Sequence, residues 1–116
     1  MTWIYLACPY AHLDAAVRQT RFELATRKAA ELFAAGYRVF SPITHSHPLH
    51  EAMPEALPCD WQFWRAFDEV MLGIADEVHV LCLAGWQESV GVQSEIALCK
   101  KLGKPVIFHG PGGGDA

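Results

Sequence analysis

Two carboxylates stand out in this chain for the company they keep. Glu95 follows the segment Gly85-Trp86-Gln87-Glu88-Ser89-Val90-Gly91, which joins an apolar strand to the start of a helix. Free backbone N–H groups and the helix dipole make such a start a natural ligand site. Ser89 is placed to cap the helix or to donate to a ligand. Gly91 lets a ligand approach the backbone, and Glu95, one turn later on the same face, would project beneath it. Asp68 lies between Trp64 and Met71 on a helix face that is otherwise apolar. Desolvation there disfavours the charged form and raises the pKa, which suits proton transfer. Each has a plainer alternative: a solvated Glu95 on a capped surface helix, and an Asp68 that reaches water at the edge of its face. Tyr5, on the first strand, would bring its hydroxyl near the same place, to orient a carboxylate or to be satisfied within the core.

Other polar residues carry weaker signals. His45, His47 and His50 invite a metal reading, but the spacing is loose and no helix aims the rings. Contact of His45 or His47 with a substrate is the better functional reading, and no metal or organic cofactor is expected. Trp61, Trp64 and Trp86 would stack on a planar ligand or pack in the core. Arg18 and Arg21 would reach the crevice or lie on a solvated face. The 4 cysteines, Cys8, Cys59, Cys82 and Cys99, form no CxxC motif and read as free thiols of a cytoplasmic protein. The chain starts with no basic leader and contains no apolar run long enough to span a membrane. A formal net charge of -4 with no basic face argues against duplex nucleic acid as partner.

The elements that must position these residues are legible in the apolar pattern. Residues 3–8 (WIYLAC) form a buried strand closed by Pro9, and residues 15–35 a helix whose inner face carries Phe22, Ala25, Ala29, Leu32 and Phe33. Strand 37–41 follows. Residues 42–58, rich in proline and histidine, read as a long functional loop. The helix over 60–74 begins at Asp60, a good N-cap, with Phe63, Phe67, Val70 and Ile74 as its core stripe. Strand 76–83, helix 89–102 and strand 105–109 complete the alternation. This predicts one α/β domain over 1–109, with a glycine-rich tail at 110–116. The fold is a small doubly wound, Rossmann- or flavodoxin-like parallel sheet of four to five strands in the order 2-1-3-4. Ligands in such sheets bind where the strand order reverses, beyond the carboxyl ends of the strands. That gathers Tyr5, Cys8, Pro9, Tyr10, Trp86 and Ser89 around one crevice.

With these residues in order, the chain resembles the nucleoside 2-deoxyribosyltransferase superfamily, including its nucleoside 5′-phosphate N-hydrolases, and a small bacterial and phage branch of unknown function within it. The resemblance rests on Ile4-Tyr5-Leu6-Ala7-Cys8-Pro9, on Ser41-Pro42-Ile43-Thr44-His45-Ser46-His47-Pro48, on Asp68 followed by Ala75-Asp76, and on Gly85-Trp86 through Ser89-Val90-Gly91 to Glu95-Ile96. It implies that Glu95 attacks C1′ of a sugar, that Tyr5 places this Glu, and that Asp68 assists departure of the base. Ser89 stands where relatives acting on monophosphates carry Ser. The resemblance therefore implies a nucleoside 5′-monophosphate hydrolase working through a glycosyl-enzyme. Base exchange between nucleosides, or nucleotide binding without turnover, are the alternatives. It also implies a homodimer or larger homo-oligomer, and Trp61, Trp64 and Met71, on a face apart from the expected core stripe, would supply its apolar interface.

Overall fold

A computed structural model describes residues 2–110. The elements are β1 (Trp3–Ala7), α1 (Ala15–Ala34), β2 (Arg38–Phe40), α2 (Pro42–Ala52), α3 (Trp61–Ile74), β3 (Glu77–Leu81), a short 3-10 turn at Trp86–Glu88, α4 (Val90–Lys101) and β4 (Val106–His109). The strands form one parallel sheet in the order β2-β1-β3-β4, as the alternation predicts. Ile4 pairs with both Val39 and Glu77, and Ala7 with Val80, so β1 runs down the middle. β1 is buried on both faces, which explains its unbroken apolar run. Tyr5, Ala7, Val78 and Val80 pack with Leu72, Val92, Ile96 and Cys99 of α3 and α4. On the opposite face, Ile4, Leu6 and Leu81 pack with Ala25, Ala29 and Leu32 of α1.

Local chemistry sets the helix ends. The Asp14 carboxylate accepts from Ala16 N at 2.8 Å, that of Asp60 from Phe63 N at 2.9 Å, and the Ser89 hydroxyl oxygen from Val92 N at 3.2 Å. Beyond α1, Gly36 adopts a φ of 101°, which a side chain would resist. Lys104 donates to the carbonyls of Gly73 at 2.7 Å and Leu72 at 3.3 Å, tying the end of α3 to the strand that follows α4. No helix among the described residues is long and apolar enough to cross a membrane. Of the expected tail, residues 111–116 lie outside the described residues.

Three expectations need correction. The first is the loop expected over 42–58, which is a helix as far as Ala52. Pro42 takes the first helical position, where its missing N–H costs nothing. Ile43, Ser46 and His47, at helical spacing, are buried, and the Thr44 hydroxyl meets that of Thr26 at 2.8 Å. Burial of that side offsets the bond that Pro48 cannot give within the helix. The second is the face of α3. Phe63, Phe67, Val70 and Ile74 are exposed, Val70 by 63%, whereas Asp68 and Leu72 are buried. The helix carries two apolar faces, and the one bearing Trp64, Asp68, Met71 and Leu72 turns to the sheet. Trp61, Trp64 and Met71 are accordingly half-buried, and the outward patch is the stripe expected in the core. The third is Phe33, which is exposed although its neighbour Leu32 packs inward.

Candidate active site

Beyond the carboxyl end of β1, where the strand order reverses, lies a cavity of about 480 Å³. Its walls come from the loop after β1 (Cys8, Tyr10), from α2 (Ile43, Ser46), from α3 (Trp61, Trp64, Asp68) and from the start of α4 (Ser89, Gly91, Glu95). Gly91 faces Trp61: a Cβ built there would lie 3.6 Å from the indole ring. The N-terminus of α4 and the N-terminal half of α3 thus form two sides of one space.

Glu95 and Asp68 sit in its floor, each only 5% exposed. The Tyr5 hydroxyl, on β1 beneath the cavity, donates a short hydrogen bond to Glu95 Oε2. Burial pushes the Glu95 pKa up to about 8, the Tyr5 hydroxyl bond opposes the rise, and the Asp68 charge adds to it. Asp68 is pushed up to about 7, with burial as the cause. Its Oδ1 is buried and has no hydrogen-bond partner. A buried carboxyl oxygen without a partner is costly, and it favours the protonated form. Tyr5 itself is raised well above the usual phenol range, burial first and Glu95 second. It therefore stays a hydroxyl donor. The arrangement can hold one proton between two carboxyls, attack with one and protonate with the other.

Of the residues expected from the sequence, Glu95, Asp68, Ser89, Gly91, Cys8 and Tyr10 line the cavity. Tyr5 acts from below, through Glu95, and Pro9 is buried beside the wall without lining it. His47 is not in the wall. Its ring meets the Tyr10 hydroxyl at 2.6 Å and Gln19 at 2.9 Å, and it stacks on Phe22 with ring centres 4.4 Å apart. Burial lowers its pKa, so it holds the loop after β1 as a neutral ring. His45 stacks on Phe67, outside the cavity. Trp86 packs on Phe108 and fastens the β3–α4 connection. Arg21 likewise serves the frame: it donates to the carbonyls of Ala84 at 2.9 Å, Ala11 at 3.2 Å and Tyr10 at 3.4 Å, so it clamps the two loops that form the crevice. Cys8 is buried and its thiol pKa is raised, which makes it a wall and not a nucleophile.

Sequence reasoning missed Ser46, Cys59, Gln62 and Glu88 as cavity residues. Ser46 belongs to the helix that was read as loop. Glu88 stood inside the segment singled out, and only its charge marked it. Among the described residues no group of His, Cys, Asp and Glu side chains is arranged to hold a metal ion.

Comparison with known proteins agrees with this geometry at the level of fold. A 2-deoxyribosyltransferase from the psychrotolerant bacterium Bacillus psychrosaccharolyticus, described as a biocatalyst for the synthesis of nucleosides, superposes with a TM-score of 0.62. It shares 24% sequence identity, and the match covers 91% of this chain and 70% of that one. No curated protein sequence matches the chain. A family described as a domain of unknown function, DUF1937, matches residues 2–110. The chain is therefore a member of the DUF1937 family, built on the same α/β fold as a 2-deoxyribosyltransferase.

Proposed function

We propose that this domain cleaves the N-glycosidic bond of a nucleoside, with Glu95 as nucleophile, Asp68 as proton donor to the base and Tyr5 as the residue that positions Glu95. The observation that carries the reading is the buried pair: Glu95 held by the Tyr5 hydroxyl, and Asp68 with an unpartnered oxygen, both in one cavity wall. The Glu95 carboxylate forms a bond to C1′ while the bond to the base nitrogen breaks, and its electron pair leaves with the base. The Asp68 proton goes to that nitrogen. Water, or the nitrogen of a second base, then resolves the glycosyl ester, as in retaining glycoside chemistry. The shared fold of a 2-deoxyribosyltransferase supports this class of reaction. The cavity wall carries no lysine, arginine or histidine. That favours a nucleoside over the 5′-monophosphate that Ser89 suggested, because a phosphate would meet no cationic side chain.

The test is incubation with a panel of ribo- and deoxyribonucleosides and their 5′-monophosphates, with and without an acceptor base. Free base with free sugar identifies a hydrolase, and a new nucleoside identifies a transferase. Ligand binding without either product overturns the enzymatic reading. The exposed stripe Phe63, Phe67, Val70 and Ile74 supports a homodimer as the working form, since an apolar patch of this kind marks an interface. The buried free thiols Cys8, Cys82 and Cys99 support a cytoplasmic setting.

A further inference from the structure

The charge of the cavity is one-sided. Asp60, Asp68, Glu88 and Glu95 all line it, and no basic side chain does. The α1 arginines at this end of the sheet are engaged elsewhere: Arg21 with the carbonyls of Tyr10, Ala11 and Ala84, and Arg18 with the carbonyl of His12. The Ser89 hydroxyl oxygen accepts from Val92 N, which satisfies one N–H of the first turn of α4 from within the chain. Against these acids stand two indoles, Trp61 and Trp64. Indole rings attract cations, and more strongly in a partly dry site. A further observation points to a ligand: Asp68, 5% exposed, lines this cavity and has a carboxyl oxygen with no partner within the chain.

Resting on the reading of this cavity as a nucleoside site, we propose that its preferred ligand is a nucleoside whose base is positively charged, an N-alkylated purine or pyrimidine or a pyridinium, with an uncharged 5′-hydroxyl. Glu88, the ionised member of the Asp68–Glu95 pair and the indoles recognise the charged ring, and the same acids repel a 5′-phosphate. The chemistry is consistent. When the bond between C1′ and a cationic base breaks, the electron pair neutralises the base, which leaves without needing a proton. The Glu95 carboxylate takes C1′, and water adds across the resulting ester to return Glu95 and release the sugar with one proton. No oxidant, reductant or further reactant enters.

The test is a set of dissociation constants for pairs matched in shape and different in charge, read by tryptophan fluorescence on the Glu95→Gln protein so that turnover does not interfere. The pairs are 1-methyladenosine with adenosine, 3-methylcytidine with cytidine, and nicotinamide riboside with its 5′-monophosphate. The cationic nucleoside is expected to bind about tenfold or more tightly than its neutral partner, and the monophosphate more weakly than the riboside. Glu88→Gln should reduce the preference severalfold, and Glu88→Lys should remove the penalty on the phosphate. Equal affinities within the pairs, tighter binding of the monophosphate, or no binding of any cationic nucleoside overturns the proposal. Its failure is distinct from that of the proposed reaction. Base release from neutral nucleosides without charge preference leaves the reaction standing and sinks this inference. Tight cation binding with no base release by the wild-type protein does the reverse.

Discussion

Asp68→Asn separates what a buried carboxyl costs the fold from what it does for the reaction. In the folded chain burial raises its pKa from 3.8 to about 7. In the unfolded chain the proton leaves near the lower value. Between the two the folded state binds more protons, so stability falls as pH rises through this window, and the loss is complete above the folded pKa. A shift of about 3 units corresponds to roughly 4 kcal/mol by linkage. The carboxyl borders the cavity, and solvent screening on that side leaves about 2 kcal/mol as the working figure. Asparagine does not titrate, and Glu95 titrates in both proteins, so its contribution cancels to first order. Urea unfolding of both proteins at about pH 4 and about pH 8.5 reads the effect. The stability of Asp68→Asn relative to the wild type should rise by about 2 kcal/mol from acid to alkaline pH. Base release by the variant should fall by about a hundredfold. A stability difference that does not change with pH, or one that moves in favour of the wild type as pH rises, would refute the buried, unpartnered carboxyl.

Glu95→Gln should abolish base release while the far-ultraviolet spectrum and cooperative unfolding persist, because no other group stands in the nucleophile's place; measurable turnover by the variant removes the assignment. The wild-type rate should trace a bell with limbs near pH 7 and pH 8, the two steps of the coupled pair; because Glu95 carries the higher value, the reactive form, with Glu95 ionised and Asp68 protonated, is the minor of the two singly protonated forms. Tyr5→Phe should move the falling limb, which the higher Glu95 value sets, to higher pH and cut the rate at neutral pH by about tenfold, because the hydroxyl bond is what lowers Glu95; an unmoved profile with an unchanged rate would make Tyr5 a packing residue only. Phe67→Glu, on the exposed face of α3, should convert a dimer to monomers by light scattering without unfolding the chain; a wild-type protein that already runs as a monomer ends the dimer proposal.

The sequence alone carried the order of elements, because a parallel sheet buried on both faces needs unbroken apolar strands, and helices between them need capping residues. WIYLAC, Asp60 and Ser89 each wrote one of those requirements into a short stretch. Topology then placed the switch point, and with it Tyr5 and Glu95 near a single crevice, from spacing and chain order; Asp68 joined them only through the family resemblance. What spacing could not carry was direction. A helix such as α3 has two apolar faces, and hydrophobicity ranks the stripe of Phe63, Phe67, Val70 and Ile74 at least as high as the one that turned inward. Only the fit of Leu72, Met71 and Asp68 against β1 and α4 chose between them. Proline density concealed α2, because Pro42 and Pro48 read as breakers until the burial of Ile43 and His47 outweighs the lost backbone bond. The roles of His45, His47 and Trp86 were decided the same way, by partners far apart in the chain: Phe67, Tyr10 with Gln19, and Phe108. The charge of the cavity is the last such case. Its acids come from three segments, and no local pattern shows that Arg18 and Arg21 are spent on backbone carbonyls instead of facing the ligand.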